Sequence, residues 1–401
     1  MLVHPEHWKS LRTRYEKDGP HRMLALDGGG IRGLITLGIL QGMENLIWEK
    51  TKKKLHEYFD YIAGTSTGAI IAAGLSHGMT TAELIQFYTS FGKQMFDPAT
   101  LIDRIKYFYT ADPLKEQLQK TFGHDTSLDP DGLKCLLLVV TKNVTTDSPW
   151  PVSSNPGAKY NDPVRKDCNL QVPLWQLVRA STAAPVYFPA EVMQWDPADP
   201  SKSFVFVDGG VTPYNNPAFL LYRMATEPAY RLNWKTGEDQ LLLVSVGTGA
   251  AESLGATAAA PNKNILSTVA GLPGELMYGI QVDQDINCRT IGRCTYGAHL
   301  DREILDLIPR EFEDGATLDE AYATPPIPLS TDLGRRFLYA RYNADISRAG
   351  LRDLGFPDAD PASVQKMDDV KNIQLLLQIG EAAAQHVKQE HFGSFLSEPG
   401  E

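Results

Sequence analysis

The chain has 401 residues, of which 43% are hydrophobic and 22% charged, as in an ordinary soluble globular protein of one large or two small domains. Its formal net charge of −11 disfavours nonspecific binding to nucleic acid or to strongly anionic membranes. The four cysteines lack CxxC spacing, no window of about 18 residues is apolar throughout, and the first residues lack a signal-peptide pattern. We therefore expect a cytoplasmic chain without a disulfide framework, a metal site or a membrane span, for which any membrane contact is peripheral.

The first α/β unit of the chain follows a polar lead-in. Residues 1–21 contain an early proline and glycine, and the core is expected to begin at Arg22. A short apolar run at 23–26 predicts a buried strand, residues 27–33 predict a turn, and apolar residues spaced through 34–47 predict a largely buried helix. The chain thus enters its core through a strand, a tight turn and a helix.

The next unit contains the pentapeptide Gly64 to Gly68, a GxSxG motif centred on Ser66. Residues 58–63 predict a short buried strand before it, and residues 69–75 predict a buried helix after it. A strand, a sharp turn and a helix are the setting of a nucleophile elbow, in which flanking glycines leave room for the strained turn. The alternative is an ordinary tight turn with a capping serine. The flanking elements favour a nucleophilic serine.

The remaining elements complete an α/β pattern. Three later apolar runs, at 135–141, 204–207 and 241–246, are continuous rather than alternating, as in strands covered on both faces. Helical or looped segments separate the strands, which predicts a mainly parallel sheet. Residues 143–173 are rich in proline and predict a long surface excursion. Residues 265–401 are predicted to be mainly helical.

The glycine-rich turn allows two functions. Gly28, Gly30 and Gly33 satisfy the GxGxxG pattern of dinucleotide sites. Such a site needs an acidic residue at the end of the following strand, and here that strand ends in Ala63 and continues into the serine turn. The backbone N–H groups of three glycines at a helix start can instead stabilise an oxyanion, and this interpretation is favoured over a phosphate cradle. Arg32 would add positive potential or brace the loop.

A third motif follows the apolar run at 204–207. Asp208, Gly209 and Gly210 stand where this strand ends, and strand ends are where open α/β sheets build their sites. An Asp-Gly pair after a strand also occurs in hairpin turns. No second strand follows here, because residues 211–217 predict a loop that leads into a helix. We therefore favour a functional aspartate.

Together these residues resemble the signature set of patatin-like phospholipases. The matching segments, in chain order, are 27–33, 64–68 and 208–210, and residues 180–189 and 245–249 also resemble segments typical of that family. The resemblance implies a three-layer α/β fold with a mainly parallel central sheet flanked by helices. It divides the chain into a lead-in at 1–21, a patatin-like catalytic core at 22–250, and a mainly helical C-terminal region at 251–401, packed on the same core.

The resemblance also implies a mechanism without a cofactor or metal. Ser66 would attack a fatty acyl ester, Asp208 would act as the general base, and Gly28, Gly29 and Gly30 would form the oxyanion hole with support from Arg32. The remaining motif residues would shape the turns, and they are Asp27, Gly33, Gly64, Gly68, Gly209 and Gly210. The expected partner is a lipid substrate, with no nucleic acid.

Three alternatives remain open at this point. A Ser-His-Asp esterase could use His299, because the order Ser66, Asp208, His299 is that of α/β-hydrolases. A ligand-gated, lipid-degrading effector could use the same fold, although nothing in the C-terminal region indicates a nucleotide site or a small-molecule activator. A catalytically silent lipid-binding scaffold is disfavoured, because both Ser66 and Asp208 are present.

Overall fold

The structure is a computed structural model, and the part of the chain that it describes is residues 9, 11–95, 112–185, 187–196, 198–251, 265–298, 300 and 334–396. His299 lies outside these described residues. Within them, no helix is both long enough and apolar enough to span a membrane. The described residues also contain no cluster of three or more His, Cys, Asp or Glu side chains suited to a metal ion.

A single mixed sheet forms the centre of the described chain. Its strands are β1 His21–Leu26, β2 Tyr61–Thr65, β3 Leu136–Asn143, β4 Ser148–Ser153, β5 Glu191–Gln194, β6 Ser203–Asp208, β7 Leu241–Val246, β8 Arg293–Tyr296 and β9 Leu338–Tyr342. The neighbours run in the order β5-β6-β3-β2-β1-β7-β9-β8, and β4 also pairs with β3. The strands from β3 to β8 in this order are mutually parallel, whereas β4, β5 and β6 join by antiparallel pairing. The predicted mainly parallel sheet is confirmed.

Helices cover both faces of this sheet. They are α1 Arg12–Tyr15, α2 Gly33–Thr51, α3 Leu55–Tyr58, α4 Thr67–His77, α5 Thr81–Met95, α6 Asp112–Phe122, α7 Leu174–Ser181, α8 Ala218–Thr226, α9 Ile265–Ile291, α10 Arg348–Asp353, α11 Pro361–Val364 and α12 Ile373–Ala383. Short 3-10 segments lie at Gly30–Arg32, Pro130–Gly132, Asn169–Gln171, Pro200–Lys202, Gly209–Val211, Pro228–Tyr230, Val370–Asn372, Ala384–His386 and Gln389–Leu396.

The alternation of side chains along β1 shows the three layers directly. Leu24 and Leu26 belong to the apolar cluster formed with α2, α4 and α12, whereas Met23 and Ala25 belong to the cluster formed with α8 on the opposite face. Successive strand residues point to opposite faces, so a strand that is apolar at every position is buried on both. The predicted three-layer fold is confirmed.

β2 and β6 meet end to end along one edge of β3. Val140 of β3 pairs with Thr65 of β2 on one side and with β4 on the other. The next residue, Thr141, pairs again with β4 but now also with Asp208 of β6. β4 pairs with the same edge of β3 at both positions, so β2 and β6 must share the other edge of β3. β6 runs antiparallel to β3 and therefore also to β2. The last residue of β6 therefore faces the residue that follows β2.

Two local predictions differ from the structure. The strand expected to start at Tyr58 starts at Tyr61, because residues 55–58 form the short helix α3. The proline-rich excursion at 143–173 contains the strand β4, with Pro149 and Pro151 inside it. Proline removes a backbone donor, but β4 pairs only with β3 among the described strands, so its other edge needs no donor.

The C-terminal region contributes strands as well as helices. β8 and β9 extend the sheet beside β7, although the sequence predicted a mainly helical region. Helix α12 packs on α2 at Gly38, where a Cβ would lie 2.6 Å from the carbonyl carbon of Gly380. The domain boundary after residue 250 stays a prediction, but the sheet continues across it.

Candidate active site

Ser66 lies in a strained turn between β2 and α4. Its φ of 53° and ψ of −123° are rare for a residue other than glycine and cost on the order of 1–3 kcal/mol. The neighbouring glycines are required by packing, because a Cβ on Gly64 would collide with the Gly68 carbonyl and one on Gly68 with the Leu26 carbonyl. The turn has the strand, strained serine and helix of a nucleophile elbow.

The backbone of Ser66 is held in place by a second serine. Ser66 N–H donates to Ser181 Oγ at 2.9 Å, and Ser181 Oγ donates to the Val140 carbonyl at 2.7 Å. Ser181 is fully buried at the end of α7. The segment around Ser181 resembles a segment typical of the family, but no local pattern in the sequence indicates this contact.

Asp208 lies against the serine side chain. Ser66 Oγ donates to Asp208 Oδ2 at 2.5 Å, and Gly210 N–H donates to Asp208 Oδ1 at 2.6 Å. The Asp208 side chain is almost completely buried, and the chain turns away after it through Gly209–Val211 into α8. The hairpin considered for this Asp-Gly pair does not form. The structure thus brings together two residues that lie 142 positions apart in the chain.

The environment of Asp208 alters its acidity. Burial raises the pKa of its carboxyl from 3.8 to about 6, and the hydrogen bonds from Ser66 and Gly210 and the charge of Arg179 oppose this rise only in part. A pKa near 6 leaves the carboxylate ionised at neutral pH and makes it a stronger base than an exposed aspartate.

The glycine loop lies directly beside the elbow. A Cβ on Gly28 would lie 3.1 Å from Ser66 Cβ and would collide with Asn215 Oδ1, so the loop could not approach as closely with a side chain there. Gly28 N–H donates to the Asn215 carbonyl at 3.1 Å, and Ile31 N–H donates to the Met367 carbonyl at 2.8 Å. Across the described residues, the N–H groups of Gly29 and Gly30 donate to no protein acceptor.

Hydrogen bonding distinguishes the three glycines of the predicted oxyanion hole. The sequence predicted three glycine donors, but in this structure Gly28 N–H is already engaged by the Asn215 carbonyl. The N–H groups of Gly29 and Gly30 have no acceptor among the described residues. Their role stays a prediction.

The two charged residues of the loop are both held by distant carbonyl or side-chain groups. Arg32 Nη1 donates a long hydrogen bond of 3.4 Å to the Gly249 carbonyl, and burial lowers its pKa to about 10. Asp27 accepts from both terminal nitrogens of Arg341, at 2.8 and 2.5 Å. Sequence analysis missed Arg341, because a single arginine in a strand carries no motif.

The fold and this site define an α/β protein in which a part-buried serine is hydrogen-bonded to a buried aspartate beside a glycine loop. The family model of the patatin-like phospholipases matches residues 24–222, which contain Ser66, Asp208 and the whole glycine loop. The chain therefore contains a patatin-like phospholipase domain, and the resemblance noted in the sequence is confirmed.

Named relatives show the same similarity. Patatin-17 of Solanum cardiophyllum is 30% identical over 245 residues, which cover 57% of this chain and 60% of the relative. The cGAMP-activated phospholipase of Vibrio cholerae is 31% identical over 214 residues, covering 50% of this chain and 56% of the relative. Intracellular phospholipase A2 of Caenorhabditis elegans is 31% identical over 245 residues, covering 59% of this chain and 20% of the relative. The matches thus span about 60% or less of each relative's length.

Proposed function

We propose that this chain is a serine acyl hydrolase that cleaves fatty acyl esters of phospholipids and related lipids through a Ser–Asp dyad. The observation that carries the proposal is the 2.5 Å hydrogen bond from Ser66 Oγ to Asp208 Oδ2. This bond joins a serine in a strained elbow to a buried carboxylate whose pKa is raised to about 6. The patatin-like phospholipase domain supports the same activity.

The first half of the reaction forms an acyl-enzyme. Ser66 Oγ attacks the ester carbonyl carbon while its proton passes to Asp208 Oδ2, and the carbonyl oxygen becomes an oxyanion. The N–H groups of Gly29 and Gly30 are the donors that would stabilise this charge. Collapse of the tetrahedral intermediate breaks the ester bond, and the proton held by Asp208 moves to the departing alcohol oxygen.

The second half restores the enzyme. Asp208, again ionised, accepts a proton from a water molecule that attacks the acyl carbon. The second tetrahedral intermediate collapses, the proton returns to Ser66 Oγ, and the fatty acid leaves. Each unit by which the pKa of the base rises is worth about 1.4 kcal/mol of proton affinity, so burial of Asp208 lowers the cost of deprotonating a serine hydroxyl.

The partners in this proposal are lipids, and no cofactor or metal takes part. The cytoplasmic location and peripheral membrane contact expected from the sequence stay predictions. One relative is named a cGAMP-activated phospholipase, and gating by a small molecule is therefore the alternative regulation to test.

Purified protein and a short-chain fluorescent acyl ester test the activity. The wild type should turn over the ester and form a covalent adduct on Ser66 with a fluorophosphonate, whereas Ser66→Ala should do neither. Ser76→Ala is the control, since Ser76 is a fully buried serine of α4 that is not part of the dyad. Equal turnover in the wild type and Ser66→Ala would refute the proposal. Mass spectrometry of lipids released from a membrane extract would then identify the substrate.

A separate variant tests the triad alternative. His299→Ala should leave turnover within about threefold of the wild type if the dyad suffices, since removing a required general base costs on the order of 10²–10⁴-fold. Loss of turnover with intact folding would replace the dyad by a Ser-His-Asp arrangement.

A further inference from the structure

Arg341 joins the glycine loop to the C-terminal region. Its guanidinium donates to both carboxylate oxygens of Asp27, at 2.8 and 2.5 Å, and also to Ser245 Oγ at 2.7 Å. Arg341 lies on β9, outside the residues that match the family model, and both partners of the ion pair are almost fully buried. The contact spans 314 positions of the chain.

This ion pair controls geometry more than a single hydrogen bond would. Two parallel N–H···O bonds between a planar guanidinium and a carboxylate define the direction of both groups. Asp27 is the residue immediately before Gly28. The N–H of Asp27 donates to the Val246 carbonyl at 3.1 Å. The start of the glycine loop is therefore held by its backbone and by its first side chain.

A second contact from the same C-terminal region holds the other end of the loop. The Met367 carbonyl accepts the N–H of Ile31 at 2.8 Å, and a Cβ on Gly30 would collide with that carbonyl oxygen. Gly29 and Gly30, whose N–H groups have no acceptor among the described residues, lie between these two anchors. Glycine is the most permissive residue in backbone conformation, so contacts with the rest of the protein must fix the direction of the loop.

We propose that Arg341 is a positioning residue for catalysis, which acts through Asp27 to aim the N–H groups of Gly29 and Gly30 at the oxyanion. This inference rests on the proposed acyl hydrolase function. It implies that the catalytic core is incomplete without the C-terminal region, since β9 supplies the arginine. Donors that stabilise a transition state must be oriented before the reaction, and a loop that drifts loses rate rather than substrate affinity.

The chain offers a matched control in Arg289. This arginine is equally buried, donates to both oxygens of Asp285 at 2.8 and 3.0 Å, and donates to the Ala298 carbonyl at 2.8 Å. It makes no hydrogen bond to residues 27–33 in the described structure. Removing either arginine leaves a buried carboxylate unpaired, but only Arg341 donates hydrogen bonds to the loop residue Asp27.

The experiment compares Arg341→Met, Arg341→Lys and Arg289→Met in the full-length chain. Each variant is measured for stability, for kcat and KM with a soluble acyl ester, and for inhibition by a trifluoromethyl ketone, which forms a tetrahedral oxyanion adduct on Ser66. We expect Arg341→Met to lower kcat and the inhibitor affinity in parallel by about 10²–10³-fold, the cost of a lost oxyanion donor, with KM within about threefold. Arg341→Lys should have kcat and inhibitor affinity between those of the wild type and Arg341→Met. Arg289→Met should keep both quantities within about threefold of the wild type.

Two outcomes overturn the inference. One is a folded Arg341→Met variant with the kcat and inhibitor affinity of Arg289→Met; the other is a loss confined to KM. If Arg341→Met does not fold, Arg341→Lys decides, and wild-type kcat in that variant counts against the inference. Absence of turnover and of Ser66 labelling in the wild type would instead refute the proposed function, so the two failures are distinguishable.

Discussion

A buried aspartate lies at each end of β2, and the pKa values of the two carboxyl groups are shifted in opposite directions. Asp60 stands just before β2, and Asp208 meets Ser66 just after it. Both side chains are at most 4% exposed. The pKa of Asp208 is raised to about 6, whereas the pKa of Asp60 is lowered to about 2.

The difference comes from the neighbours and not from burial. Burial alone would raise the pKa of Asp60 as well, but His21 and Arg14 outweigh it. Arg14 Nε donates to Asp60 Oδ1 at 2.9 Å and Arg22 N–H donates to Oδ2 at 2.9 Å, while His21 Nδ1 lies 3.7 Å from Oδ2. Within the described parts of the chain, no arginine, lysine or histidine forms an ion pair with Asp208. One end of the strand therefore stabilises the fold, and the other keeps a carboxylate basic enough for chemistry.

The largest effect is expected for Asp208→Asn on activity. An amide cannot accept the proton of Ser66, so kcat should fall by about 10³–10⁴-fold, within the range for loss of a general base. The measurement is turnover of the acyl ester beside Asp147→Asn, an exposed residue of the turn between β3 and β4. Near wild-type turnover in Asp208→Asn would show that Asp208 is not the general base.

The next effect is expected for Asp60→Asn on stability. The change leaves Arg14 without its carboxylate partner and should lower the free energy of unfolding by about 3–5 kcal/mol, as for a broken buried ion pair. Urea denaturation measures the change, with Asp147→Asn expected to match the wild type. The folded fraction of Asp60→Asn should keep its kcat. A stable Asp60→Asn variant with low kcat would show that this end also serves catalysis.

Asp208→Asn, the same change at the other end of β2, should stabilise the fold. The folded pKa of Asp208, about 6, lies about two units above the ordinary 3.8, and at ~1.4 kcal/mol per unit its ionisation destabilises the fold by up to about 3 kcal/mol above pH 6. Asp208→Asn should therefore raise the free energy of unfolding at pH 8 by about 1–3 kcal/mol. The gain should shrink as the pH falls from 6 to 4, since protonation relieves the wild type. A stability loss at pH 8 would contradict this account.

The smallest effect concerns pH. Because the reaction needs ionised Asp208, kcat/KM should fall about tenfold per unit below a pKa of about 6 and be level above it. Asp60 has a depressed pKa, so its stabilisation is complete above about pH 4 and is lost only as the pH falls towards 2. The protein should thus remain folded across the whole activity transition. A rate profile that is flat from pH 5 to 8 would exclude the raised pKa of Asp208 as a catalytic feature.

Much of the fold was predictable from local patterns. The run Leu241–Val246 matches β7 at both ends, and the core of each other predicted strand also forms, because a strand buried on both faces needs an uninterrupted apolar run. β4, β5, β8 and β9 were missed. Pro149 and Pro151 conceal β4, and Arg341 interrupts the apolar pattern of β9.

The sequence alone determined the parts of the site that are written in consecutive residues. The elbow around Ser66 and the glycine loop each depend on a strand, a turn and a helix that adjoin in the chain, so their motifs could be recognised and assigned to a family. These features are local because backbone strain and close approach require glycine at fixed positions.

Only the tertiary structure decided how these parts act together. The end-to-end approach of β2 and β6 brings Asp208 to Ser66, the Asn215 carbonyl engages Gly28, and Arg341 anchors Asp27. These contacts join segments that lie far apart in the chain, and the pKa of Asp208 depends on everything packed around it. No local pattern encodes the burial of a single polar side chain or the choice of its distant partner, because both arise from the packing of the whole sheet and its helices.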